Sequence, residues 1–392
     1  MNIILFDYNP FREALLPLTY TRPCANIRCG IFTINEKWEN LTKKQISFAT
    51  QPYLSKKFPT KYVKTNYYIN GSIIPDIPLI ETLKNLYENL VLMYKGVPIG
   101  FKSDQILDNE QINVVLNHLK KREYDLPITY ISNTLEIFVQ NGNQIRNDFE
   151  WIKSNKKSHS ITDVHTRTYN IENIFVEEGV KLRAVVLNAE DGPIYLGKNS
   201  EIQEGAVIRG PFALGEQSII NMQAKIRPDV SIGPYCKVGG EVSNCVFYAY
   251  SNKGHDGFLG NSVVGEWCNI GADSNTSNLK NNYSEVKVWD YTTNTFENSG
   301  RMFCGTIMGD HVKCGINTMF NTGTTVGVNA NIFGGGFPPK FIPSFSWGGG
   351  ENDPKYNFEK VIEVAQKVME RRSISLSEMD YDILKWLYEN AK

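Results

Sequence analysis

Aliphatic residues recur at every sixth position from Leu196: Leu196, Ile202, Ile208, Leu214, Ile220, Ile226, Ile232 and Val238. Glycine follows directly at Gly197, Gly215, Gly233 and Gly239, and the residue two before each aliphatic is usually small, as at Ser200, Ala206, Ser218 and Ala224. A second run carries Val264-Gly265, Ile270-Gly271, Met308-Gly309, Cys314-Gly315 and Val326-Gly327. An amphipathic helix repeats about every 3.6 residues and an ordinary strand about every 2, so neither explains this spacing. A period of six is that of a hexapeptide-repeat parallel β-helix. Three short strands close a triangular coil, each aliphatic points inward, and glycine suits the tight corners. Ser243 to Phe258 and Asp273 to Thr306 break the period and are expected as loops on one face, often the binding face.

The flanks read differently. Residues 1–155 look like mixed α/β. Ile3-Ile-Leu-Phe6 resembles a buried strand. Tyr62-Val63 and Tyr67-Tyr-Ile69 lead into a turn at Asn70-Gly71. Leu79, Ile80, Leu83, Leu86 and Leu90 have helical spacing, and Asp108 can cap a helix carrying Ile112, Val115, Leu116 and Leu119. From Ile152 to Thr168 the chain turns polar and basic, as a linker would. The solenoid is expected over 156–345 and a helical tail over 346–392. In the tail, from Asp353 to Lys392, Phe358, Val361, Ile362, Ala365, Val368 and Met369 form one stripe, expected to cover the solenoid end or a neighbouring subunit. Ser375-Leu-Ser-Glu378 has capping-box spacing before Ile383, Leu384 and Leu387.

Composition narrows the class. The chain has 392 residues, a formal net charge of -1 and 21 % charged residues. That excludes wholesale disorder and any global basic field for nucleic acid or anionic lipid. Lys and Arg outnumber Asp and Glu over the first 160 residues, which suits a phosphate-bearing ligand there. No apolar run approaches a membrane span, and the first residues do not read as a targeting segment. Seven scattered cysteines form no Cys-x-x-Cys, so a reducing cytoplasm fits.

Tyr250-Ser-Asn-Lys-Gly-His255-Asp-Gly-Phe-Leu-Gly260-Asn-Ser-Val-Val-Gly265-Glu-Trp-Cys-Asn-Ile270-Gly-Ala-Asp-Ser-Asn275-Thr-Ser-Asn278 resembles the acetyltransferase half of the GlmU family. That family joins glucosamine-1-phosphate N-acetyltransferase to N-acetylglucosamine-1-phosphate uridyltransferase. It runs Ser-Lys-Ala-Gly-His, Tyr-Leu-Gly, Asn-Ile-Gly-Ala, then Asn. The front of the chain is similar to the short N-terminal domain of alternative GlmU-like proteins, through Ile3-Ile-Leu-Phe-Asp7, Arg12, Leu15-Leu-Pro-Leu-Thr-Tyr-Thr-Arg22-Pro23, Ile27-Arg28 and Gly30. The resemblance implies a nucleotidyltransferase-like (Rossmann-like) domain, a left-handed parallel β-helix and a helical tail.

The resemblance also implies chemistry. N-acetylation needs a neutral amine to attack a thioester, and a base to take its proton; histidine suits neutral pH. Of five histidines, only His255 lies on the matching string. Glu241 matches a carboxylate that would orient that imidazole, and Arg227 an arginine on the sugar phosphate. Asn269 and Asn278 match residues near sugar and acetyl group, Phe258 replaces a tyrosine, and the Ala272 amide would face acetyl-CoA. Ser243 stands where a second phosphate-binding lysine is expected, and Leu279 where a tyrosine is.

In the N-terminal domain no glycine-rich loop follows the first strand. Arg12 and Arg22 remain as phosphate partners, Mg²⁺ would be the metal, and Asp76 is the carboxylate nearest Asn70-Gly71-Ser72. The family implies a homotrimer with acyl sites between subunits. Two other functions fit the same residues: a nucleotidyltransferase with a purely structural solenoid, and a non-catalytic sugar-nucleotide-binding or assembly protein. A zinc hydratase on the same solenoid would need three histidines, and the repeats offer only His255 and His311.

Overall fold

A computed structural model describes residues 1–350 and 354–391. Asp353, where the tail was expected to begin, and Lys392 lie outside the described residues. The chain forms two compact units. The first comprises Met1–Ile27, Phe32–Asn133 and Ser377–Leu387, and the second Arg28–Ile31, Thr134–Leu376 and Tyr388–Lys392.

The first unit is built on six strands: β1 (Asn2–Phe6), β2 (Ser47–Ala49), β3 (Asn66–Asn70), then, after the short β4 (Ile73–Ile74), β5 (Leu90–Tyr94), β6 (Val97–Ser103) and β7 (Lys120–Glu123). The sheet order is β2-β1-β3-β6-β5-β7. β1 runs parallel to β2 and β3, and β6 runs antiparallel to β3 and β5. From β1 the chain builds β2 on one side and β3 on the other, so the carboxyl ends of β1 and β3 lie at the switch point of the sheet, where Asp7, Asn70 and Ser72 are buried. Tyr62-Val63 is not a strand. Asn66 bonds both the N–H and the C=O of Val63, and this turn delays β3. The helix expected from Leu79 spans only Ile77–Lys84, and Leu90 already belongs to β5. Asp108 does cap Asn109–Val115, accepting from Gln111 N, and Ile112 packs on the core of Ile4, Phe6, Tyr68 and Phe101.

The second unit is a β-solenoid. Successive coils pair in parallel at an eighteen-residue step, Ile194↔Phe212 and Phe212↔Val230. All eight aliphatics from Leu196 to Val238 are buried in one continuous core, joined by Val264, Ile270, Met308, Cys314 and Val326. The glycines after them serve a purpose other than the one expected. Gly197 and Gly215 have no positive φ. A Cβ on Gly197 would lie 2.7 Å from Leu214 O, and one on Gly215 2.5 Å from Gly233 C, in the coil above. They are glycine because backbones meet there. The left-handed residue comes two later, at Asn199, Gln217, Tyr235, Tyr250, Trp267 and His311. Three of these stack as rings, Tyr235 on Tyr250 at 5.0 Å and Tyr250 on Trp267 at 4.1 Å.

The two irregular stretches differ in kind. At Ser243 to Phe258 nothing is looped out: the coil leading into it is short, chiefly at the corner after Val238, where Val242 stands opposite Ile226. The pairing steps from Lys237 to Asn252 and from Ser231 to Val246, and the strand Glu241–Phe247 runs through the missing turn to pair on two faces. Between Asn278 and Thr306 the chain forms an antiparallel hairpin, Lys287–Asp290 with Thr295–Asn298. Trp289 of the hairpin stacks on Phe341 at 4.0 Å.

One long helix (Thr134–Asn155) was not apparent from periodicity and groups with the solenoid. Its Asn141 donates to Asp229 O and accepts from Gly30 N and Ser231 Oγ, and Asp148 accepts from Ile31 N. A Cβ on Gly142 would meet Asp229 Oδ1 at 1.9 Å. Asn141 and Gly142 therefore form the seam of this helix against the coils. In the tail, Val361, Ala365 and Met369 of the helix Phe358–Glu370 are buried. The last helix, Glu378–Asn390, is capped by Ser377, whose Oγ accepts from Asp380 N, two residues later than the expected box. Through Leu387 this helix belongs to the first unit. There Trp386 stacks on Tyr53 at 3.8 Å, and Lys57 pairs with Asp380 at 2.6 Å. Up to Leu387 this helix thus packs within the first unit, while Tyr388 at its end meets the ring of Phe345 at 5.1 Å.

Phe212 is fully buried and paired on both sides. Phe212→Ala is expected to cost about 3–5 kcal/mol in urea unfolding of the solenoid unit. A loss below about 1 kcal/mol would contradict a close-packed coil interior.

Candidate active site at a solenoid corner

His255 occupies the corner that joins two solenoid faces. The strand Asn252–Lys253 precedes it on one face, and Phe258–Val264 follows on the next. Below lies the corner Gly239-Gly240, with Gly239 N donating to Lys253 O. Above lies Gly271-Ala272-Asp273, with Asp273 N donating to Asp256 O. A Cβ on Gly257 would meet Ser274 O at 2.2 Å, so the three corners are in backbone contact. The His255 side chain is exposed.

Register arranges the neighbours. Lys225, Glu241 and Phe258 lie side by side on one face, with Arg227 beyond. Asn275 accepts from Phe258 N at 2.8 Å, and Asn278 Nδ2 donates to Asn261 Oδ1 at 2.8 Å. A Cβ on Gly260 would collide with both Asn278 Nδ2 and the Phe258 ring, at 2.6 Å each, so glycine lets those two side chains close over it. Asn269 projects from the other face, paired in register with Asn252 and Lys313. Ala272 sits in the corner directly above. The coils thus place Arg227, Glu241, Phe258 and Asn278 on one side of His255 and Asn269 on the other.

One expected contact is replaced. Glu241 Oε1 lies 3.4 Å from Arg227 Nη1, and no hydrogen bond or ion pair joins Glu241 to His255 among the described residues. Arg227 is 63 % exposed, so this pair is worth little to stability and yields readily to a stronger anion. Sequence reasoning passed over Lys253. It stands where the family string has alanine, and its ammonium donates to Gly239 O at 3.0 Å and His255 O at 2.9 Å. Burial pushes its pKa down to about 8, against the pull of Asp256.

In the first unit the two arginines lie inside. Asp7, at the carboxyl end of β1, is buried. It accepts from Cys24 N and Thr50 Oγ1, and Arg12 Nε lies 3.5 Å away. Arg12 also donates to Thr19 O and Tyr53 Oη. Arg22 is buried as well. Arg12 is therefore a core ion-pair residue, not a surface phosphate clamp. Asp76 is the N-cap of the helix from Ile77, accepting from Leu79 N. With Asp7 held by Arg12 and Asp76 spent as a cap, these residues do not assemble a donor set for Mg²⁺. Among the described residues no cluster of three or more His, Cys, Asp or Glu could hold a metal ion.

An α/β unit followed by a hexapeptide solenoid with a histidine at an exposed corner defines a two-part architecture. Residues 3–157 match the family model described as sugar nucleotidyl transferase. The chain is 33 % identical over 162 residues to the bifunctional sugar-1-phosphate nucleotidylyltransferase/acetyltransferase of Sulfurisphaera tokodaii, covering 41 % of this chain and 38 % of that protein. It is 31 % identical over 152 residues to the bifunctional protein GlmU of Methanocaldococcus jannaschii, covering 34 % and 36 %. It is 29 % identical over 150 residues to the uncharacterized acetyltransferase YaiX of Escherichia coli O6:K15:H31, covering 38 % and 64 %. These relatives support a GlmU-like family. The matches span less than two fifths of the length of the two bifunctional relatives.

Burial raises the pKa of Asp7 and the Arg12 charge pulls it back. With its folded pKa above the unfolded one, Asp7 stabilises most when protonated, and that contribution fades as pH rises through the folded pKa. Arg12→Met, which leaves an unpaired buried carboxylate, is expected to cost about 3–5 kcal/mol at pH 7. The loss should shrink toward pH 4, and Asp7→Asn added to Arg12→Met should recover part of it. Urea unfolding at the two pH values checks this; an equal loss at both would refute the buried pair.

Proposed function

We propose that the protein is an N-acetyltransferase acting on an amino-sugar phosphate with acetyl-CoA as donor. The observation that carries this reading is His255, exposed at a corner and flanked by Arg227 on one face and Asn269 on the other. In the proposed step the neutral sugar amine attacks the thioester carbonyl. The new C–N bond forms, the C–S bond breaks, and the amine proton passes to His255 and on to the departing thiolate. Arg227, released from Glu241, takes the sugar phosphate through its guanidinium fork. Asn278 and the Ala272 amide are the donors offered to the carbonyl oxygen. Glu241 serves as the partner that holds Arg227 when no phosphate is present.

A second activity, nucleotidyl transfer onto a sugar-1-phosphate, is assigned to the first unit. The family match over residues 3–157 supports it. The product class is an N-acetylated amino-sugar nucleotide, as serves cell-envelope synthesis in the cytoplasm. A homotrimer would set a second copy against the solenoid faces. The exposure of Met222 (66 %) and Ile316 (71 %), at turns of the solenoid, supports such a neighbour, and sedimentation tests it.

Purified protein should transfer acetyl from acetyl-CoA to glucosamine-1-phosphate or a related amino-sugar phosphate. His255→Ala should lower the rate by about 10²–10⁴-fold, with unchanged melting because the side chain is exposed. Activity that survives this substitution, or its absence in wild type with every amino-sugar phosphate, would refute the acetyltransferase reading. Pyrophosphate release from UTP or dTTP with a sugar-1-phosphate tests the nucleotidyl step separately.

A further inference from the structure

Lys253 occupies an inward position of the solenoid. In register it continues the stack Ile202, Ile220, Val238, and Ile270 follows in the next coil. Only 2 % of its surface is exposed. Burying an ammonium is costly, and an apolar residue at such a position usually serves a core as well or better. The charge must therefore be explained by what it holds. It donates to the carbonyls of Gly239 and His255, which lie on the corners of successive coils. A Cβ on Gly240 would come within 2.8 Å of Nζ, so glycine there leaves the ammonium its room. The coil that carries Lys253 is the shortened one, where Lys237 meets Asn252 after fifteen residues. The titratable groups that act on it are the carboxylates of Asp256 and Asp273 and the thiols of Cys245 and Cys314. His255 has no side-chain partner among the described residues, so its imidazole is placed by its backbone.

We propose that Lys253 is a positioning residue for His255: its buried ammonium clamps the corners of two coils and so fixes where the imidazole emerges. The inference rests on the reading of His255 as the acetyl-transfer base. Its stem replaces an inward aliphatic, and its charged end replaces the hydrogen bonds that the shortened turn would otherwise supply.

The test uses the full chain with Lys253→Met, which keeps the stem and removes the charge, and Lys253→Gln, which keeps a donor. Three quantities are read: the melting temperature, kcat and KM for acetyl-CoA, and amide hydrogen exchange of the peptide over residues 254–258. For Lys253→Met the expected results are melting at or above that of wild type, kcat at least tenfold lower, KM within twofold, and corner exchange about tenfold faster. Lys253→Gln should fall between. A kcat within twofold of wild type overturns the proposal whatever exchange does. Loss of folding in both variants also overturns it, because the ammonium would then serve the core. If wild type shows no acetyl transfer, the base reading of His255 falls, while exchange still decides whether the clamp exists.

Discussion

The solenoid depends on one constraint: each coil must bring its backbone into hydrogen-bonding contact with the next at the same register, around a core one side chain deep. Gly197 and Gly215 are glycine because carbonyl and amide groups of the following coil occupy the space a Cβ would need. The inward aliphatics are fixed for the matching reason, since each touches its counterpart in the coils on either side. Neither requirement can be relaxed at one level without displacing the levels beside it.

That constraint also builds the site. Because pairing is in register, residues far apart in sequence are brought side by side at intervals the backbone sets. Glu241 and Phe258 are neighbours for this reason, and so are Asn252 and Asn269. A corner is the one place where the chain leaves the ladder and can present a side chain to two faces at once. His255 stands at such a corner. The shortened coil beneath it brings Gly239 and His255 within reach of a single ammonium.

The first unit rests on a different interaction. Asp7 enters the protein at the end of β1 and is held by Arg12, Thr50 and the Cys24 amide. The same arginine bonds Tyr53, on whose ring Trp386 stacks. A chain end more than three hundred residues away thereby becomes part of the unit formed by the beginning of the chain. Residues that look like ligand contacts in the sequence, Arg12 above all, are spent on this network.

Periodicity alone was enough for the solenoid, because a repeat of six is imposed directly by coil geometry and shows itself as aliphatics at fixed intervals. His255 is singled out by the resemblance of the string around it to the GlmU family, not by the period. Periodicity could not show the long helix over Thr134–Asn155: the polar residues that break its apolar stripe, Asn141 and Asp148, are buried against partners from distant segments. Nor could it show that Glu241 turns to Arg227, that the break in the period is a shortened coil, or that Lys253 points inward. Repetition is local and is written in the chain itself. Which face a polar side chain takes, and what satisfies it there, is decided only when separate coils and helices come into contact.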